Sequence, residues 1–169
     1  MTHTLARPWV RTVALTGAGL ATALVLPFLV HLVPVEGGPP LGARLLPIFF
    51  ASLVLALRGA VWPALAVAVV APTLNHYVTG MPAGRMWPTL QLELALFTLL
   101  VLAAVRVAPR AVALLAPVTY LVAKPVAALI LTASPVTLAG LSATVALSWP
   151  GLVLLAVVGF VASGRGKRK

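Results

Sequence analysis

Cysteine and aspartate are missing from the chain altogether, and glutamate occurs only at Glu36 and Glu93. The first absence excludes a disulfide framework, a thiolate nucleophile and a cysteine-ligated metal site. The second, with so little glutamate beside it, excludes paired-acid catalysis and a carboxylate-rich metal cage. The histidines are His3, His31 and His76, and none stands at the short His-x-x-x-His spacing that would hold a metal on one helix face. With no clear Ser-His pair either, the expectation is a protein that is not an enzyme and needs no catalytic residue, metal or cofactor. Charge is scarce too: only 8% of the 169 residues carry one, too few to keep a single domain of this size in water.

What fills the sequence instead is hydrocarbon. Hydrophobic residues make up 62% of the chain and mean hydropathy is +1.12, the composition of an integral membrane protein. Apolar runs of about 17 to 25 residues, broken at Arg, Gly or Pro clusters, predict six spans at 10–33, 42–57, 60–79, 87–107, 110–132 and 136–162. The expected fold class is therefore an all-α, six-transmembrane-helix bundle over residues 12–162. A short N-terminal arm, 1–11, precedes it and a basic tail, 163–169, follows it. The second run is the shortest and reads as tilted, interrupted or partly re-entrant. The first follows Arg7 and Arg11 like a secretory signal, but it exceeds a signal's apolar region and has no small-x-small cleavage site before Glu36, so it reads as a spanning helix. Pro27, Pro63, Pro72, Pro117, Pro125 and Pro150 fall inside spans, where each removes a backbone hydrogen bond and bends its helix.

The formal net charge of +10 would point to nucleic acid in a soluble protein; in a membrane chain the placement of basic residues reports topology instead. Six spans put both termini on one side. That side collects Arg7, Arg11, Arg58, Arg106, Arg110, Arg165, Lys167, Arg168 and Lys169, whereas the other holds only Arg44 and Arg85. Both termini are expected to be cytoplasmic in a multi-pass protein, with the lipid bilayer rather than nucleic acid as its surroundings. The tail's Gly164-Arg165-Gly166-Lys167 lacks the Gly-x-x-x-x-Gly-Lys-Ser/Thr spacing of a phosphate loop.

Against this background the polar residues inside the spans stand out, because such groups are costly in hydrocarbon. At about 1.5 Å per residue, Asn75 lies about 7 Å, Glu93 about 9 Å and Lys124 about 12 Å below the ends of the third, fourth and fifth spans on the same face. An amide, a carboxylate and an amine from three helices thus share one depth, with His31 near the same level. A Glu93–Lys124 pair that only ties two spans together is one reading. The other is a water-accessible pocket lined by Asn75, Gln91, Glu93 and Lys124, with His76 beside it, since intramembrane ionisable residues usually mark sites or pathways. Trp62 and Trp87 read as belt or core aromatics, but Ser148-Trp149-Pro150 lies mid-span, which makes Trp149 a ligand-contact candidate. The first span also carries Ala14-x-x-x-Ala18, a small-residue face that lets another helix approach closely.

Three stretches carry a family likeness. These are 47–60, PIFFASLVLALRGA; 71–82, APTLNHYVTGMP; and Leu92-Glu93. Together they resemble the S components of energy-coupling factor (ECF) transporters, in the branch with Pro-x-x-Asn/Ser-His-x-x-Thr-Gly-Met-Pro and a glutamate about a dozen residues later. The likeness covers about residues 41–107; the remainder agrees in length, span number and cytoplasmic termini. It implies a substrate-capture subunit in a prokaryotic cell membrane that takes a vitamin or related micronutrient into a pocket near the outer face. Its partners would be a transmembrane coupling subunit and two ATPase subunits on separate chains. Joined to the pocket reading of the polar residues, it makes Asn75, His76, Gln91, Glu93, Lys124 and Trp149 the expected substrate contacts. The Thr79-Gly80-Met81-Pro82 loop, continuing through Ala83 and Gly84, would be a lid, and Ala14 and Ala18 would dock on the coupling subunit. The rival expectations are a proton-coupled carrier cycling protons on Glu93 and a scaffold protein without a pocket.

Overall fold

The computed structural model describes residues 8–33, 39–80, 82, 84, 86–132 and 137–164, and every regular element among them is helical. The elements are α1 (Pro8–His31), α2 (Leu41–Leu45), α3 (Ile48–Leu57), α4 (Val61–Thr79), α5 (Met86–Val107), α6 (Val112–Thr132) and α7 (Leu138–Gly164). Of these, α1, α4, α5, α6 and α7 are long and apolar enough to cross a membrane. They are the helices of a multi-pass membrane protein. Met81, Ala83, Arg85, Glu36, the greater part of the N-terminal arm and residues 165–169 of the basic tail lie outside the described residues.

The second expected span is not one helix. Leu46 closes α2 with φ 56 and donates its N–H to the Gly42 carbonyl at 3.2 Å. Pro47 follows with no N–H to continue the ladder, and α3 begins one residue later. A left-handed leucine is strained for an L-residue, so it needs tight packing to hold it. That packing comes from α7, where a Cβ added at Gly151 would stand 2.6 Å from the Arg44 carbonyl oxygen and 2.7 Å from the Leu46 side chain. Gly151→Val is therefore expected to destabilise the fold by about 1–3 kcal/mol, read as a lower thermal midpoint in detergent, because the clash is partly with backbone that has nowhere to go.

α3 is the middle of the bundle. Seven of its ten residues are buried, including Phe49 and Leu53, and it packs on α1, α4, α5 and α7. Around it the neighbours run α1–α4–α5–α6–α7, and α2 closes the ring by touching both α7 and α1. Small residues set the close approaches: Gly19 of α1 faces Leu55 and Val67, and Gly159 of α7 faces the backbone of Ala113 in α6. At the core, Phe49 meets the rings of Phe97 at 5.1 Å and Tyr120 at 5.2 Å, both edge to face, a geometry that adds to simple burial.

Candidate functional site

The broken second segment leaves a gap that the long helices do not fill. Where α2 turns into α3 and where α4, α5, α6 and α7 face it, a cavity of about 470 Å³ remains. This lies in the range of small-molecule sites, about 300–1,000 Å³. Its walls are mainly apolar, from Pro27, Leu46, Ile48, Phe49, Leu90 and Leu147. The polar groups on it come from separate elements: Asn75 from α4, Glu93 from α5, Tyr120 and Lys124 from α6, and Ser148 from α7.

Glu93 and Lys124 meet directly. The Lys124 Nζ donates to Glu93 Oε1 at 3.3 Å, and the two side chains are unequally covered, 9% exposed for Glu93 against 36% for Lys124. The carboxylate is thus the buried base of the pair, and the ammonium faces the cavity. Lys124 also stands 5.9 Å from the centroid of the Tyr120 ring, one helical turn before it on the same face of α6. The Tyr120 hydroxyl donates to Ser148 Oγ at 3.5 Å, and Ser148 in turn donates to the Ala43 carbonyl at 3.4 Å. These long bonds tie α6 and α7 to α2. Asn75 is 4% exposed; the Thr79 hydroxyl donates to its backbone carbonyl at 2.7 Å and stands 3.3 Å from its Oδ1.

Of the six residues expected to touch substrate, the structure brings Asn75, Glu93 and Lys124 onto this one cavity. The other three face elsewhere, and helix geometry is the reason. Successive residues turn by about 100° on a helix, so a neighbour in sequence is not a neighbour on a face. His76, next to Asn75, points out to stack on Trp87 at 5.9 Å with planes 18° apart, and its Nδ1 donates to the Pro82 carbonyl at 2.9 Å. Gln91, two residues before Glu93, accepts from Thr73 Oγ1 at 3.5 Å and joins α4 to α5. Trp149 is 58% exposed, while its neighbours Leu147 and Ser148 line the cavity.

The expected lid divides similarly. Pro82 lines the cavity, and Gly80 caps α4 at φ 71 with its N–H on the His76 carbonyl at 2.8 Å. Gly84 also has positive φ, 61°. Thr79 instead lines a second depression, between α1 and α4. Ala14 and Ala18 lie exposed on α1, and nothing comes within 4 Å of a Cβ placed on Gly17 between them. His31 does reach the cavity; its Nδ1 donates to the Pro27 carbonyl at 2.6 Å, and its ring lies against Gly42. The cavity residue least visible in the sequence is Tyr120. The signal for it was its place four residues before Lys124, which puts both on one helix face.

Neither a protein-family model, a curated protein nor a solved structure matches this chain.

Proposed function

We propose that this chain is the substrate-capture subunit of an ECF-type importer, binding a vitamin or related small micronutrient in the cavity bounded by Asn75, Glu93 and Lys124. In this reading the protein is a six-span bundle in a prokaryotic cell membrane, α2 and α3 together making the second span. Both termini are cytoplasmic and the cavity lies toward the outer face. The observation that carries it is the convergence of an amide, a carboxylate and an amine, from three helices, on a space large enough for a small molecule. Helices that needed only to be tied together would not leave that space beside the ion pair that joins them.

Two further features support the reading. The outward face of α1, with Ala14, Gly17 and Ala18 uncovered, suits close docking of a helix from a coupling subunit. The sequence carries no phosphate-loop motif of its own, which suits a partner pair of ATPase chains that would drive release. The lid would hinge at Gly80 and Gly84, where φ is positive.

Mass spectrometry of small molecules that co-purify with the protein, followed by titration of the molecule found, tests the reading. Glu93→Gln is expected to weaken its binding by about tenfold or more, because the Lys124 ammonium is no longer held in place at the cavity, while leaving the helical circular dichroism intact. Equal affinity in the variant would remove the site. Uptake into liposomes driven by a pH gradient, with no ATPase present, would replace the reading with a proton-coupled carrier.

A further inference from the structure

The central cavity shares a wall with a second depression. A groove of about 710 Å³ runs between the C-terminal halves of α1 and α4, and His31 and Asn75 line both it and the cavity. The rest of the groove is Leu24, Val25, Phe28 and Leu32 from α1 with Val78 and Thr79 from α4. Val25, Phe28, Leu32 and Val78 are each more than half exposed. On helices long and apolar enough to cross a membrane, a surface of this kind meets acyl chains rather than water.

The cavity side has the opposite chemistry, and its unused donors gather at one place. Lys124 spends one of its three N–H donors on Glu93. The Asn75 side chain lines the cavity, and among the described residues its Nδ2 donates to nothing. The Glu93 charge is offset by Lys124 through Oε1, and the hydroxyl protons of Tyr120 and Ser148 are spent in series, on Ser148 Oγ and on the Ala43 carbonyl. Free donors beside an ammonium complement an anionic acceptor, and a carboxylate forms the strong, charge-assisted bond there.

We infer that cavity and groove form one site for an amphipathic monocarboxylate. Its head is held by Lys124 and Asn75, and its apolar tail passes His31 and leaves between α1 and α4 into the bilayer. The inference rests on the reading of the cavity as a substrate site and adds to it the ligand's chemical class and its lateral route. Asn75 is the junction in both senses: it bonds the head and borders the tail. Val78 lies one turn further along α4 and touches the groove alone.

The test uses the full chain in phosphatidylcholine nanodiscs, with butyrate, dodecanoate and dodecanol as competitors for radiolabelled dodecanoate and empty nanodiscs as background. Dodecanoate is expected to compete better than butyrate by more than the about fourfold that a single methylene confers, and dodecanol about tenfold worse than dodecanoate, for want of the charge-assisted bond. Val78→Trp, at a position 70% exposed and so able to accept the larger ring, is expected to weaken dodecanoate by about tenfold and leave butyrate unchanged. The double variant Glu93→Gln/Lys124→Met, which leaves no charge unpaired, is expected to lose both. Carboxylates bound alike at every chain length and indifferent to Val78→Trp would overturn the tail route while leaving the cavity site standing. Failure of both carboxylates to bind, while a co-purifying molecule does, would overturn the ligand class. If no small molecule binds at all, the cavity reading falls and takes this inference with it.

Discussion

Lys124→Met is expected to lower the unfolding free energy by about 2–3 kcal/mol. Removing one partner of a fully buried ion pair costs about 3–5 kcal/mol, because the other charge is stranded, but here Lys124 is 36% exposed on its side chain and some water reaches the pair. The stranded group is Glu93, the more deeply covered partner and the only carboxylate among the described residues. Adding Glu93→Gln to Lys124→Met should restore most of the lost stability, since the buried charge is then gone. Thermal or denaturant unfolding in detergent, compared across the single and double variants, reads the coupling directly. A double variant as unstable as Lys124→Met would mean that the lysine stem packs more than it pairs. Stability restored together with ligand binding would leave the pair a structural tie and nothing else.

Phe49→Ala should have the largest effect on folding of any single truncation in the bundle, about 3–5 kcal/mol. The ring is 1% exposed, it sits at the start of α3, and it meets both Phe97 of α5 and Tyr120 of α6 edge to face. Its loss would empty a volume that neighbouring helices cannot close without moving. It would also free Tyr120, which shares the cavity wall with Phe49 and bonds to Ser148. Lower stability is therefore expected together with a changed cavity, measured as weaker ligand binding even at temperatures where the variant remains folded. Phe49→Leu, which keeps most of the volume, should recover much of the stability. A Phe49→Ala variant that melts within about 1 kcal/mol of the parent would show that the core relaxes around the missing ring.

Much of this arrangement was legible in the chain because membrane helices are written in long apolar runs and polar residues inside them are few. Five of the runs are single helices close to the bounds that composition sets, and α5 starts one residue before the expected 87. The run at 42–57 reads as tilted, interrupted or partly re-entrant, and it is interrupted; the place of the break was not legible, because a proline preceded by a residue in left-handed geometry cannot be told from a proline that merely bends a helix. Only the packing of Gly151 on the turn decides that. The same limit applies at the cavity. Depth follows from counting residues, so Asn75, Glu93 and Lys124 could be placed at one level. Facing does not follow so easily: His76, Gln91 and Trp149 are as unusual in composition as the residues beside them, yet each turns away. Tyr120 reads as one more aromatic until its spacing from Lys124 is noticed.

The brevity of α2 has a cost on the outside of the molecule. With five residues, α2 is about 7.5 Å long, against the roughly 30 Å of a bilayer's interior, so it covers only a short stretch between α1 and α7. Phe50, Val54 and Leu57 of α3, spaced along one face of that helix, are the residues it leaves only half covered. A helix at the centre of the molecule must then be greasy on its rear as well as its front, which is why IFFASLVLAL shows no polar side at all. Its single hydroxyl, Ser52, turns back onto its own Phe49 carbonyl. A charge introduced at Leu53 or Val54, beyond the cavity that Ile48 and Phe49 line, would find solvent in neither direction.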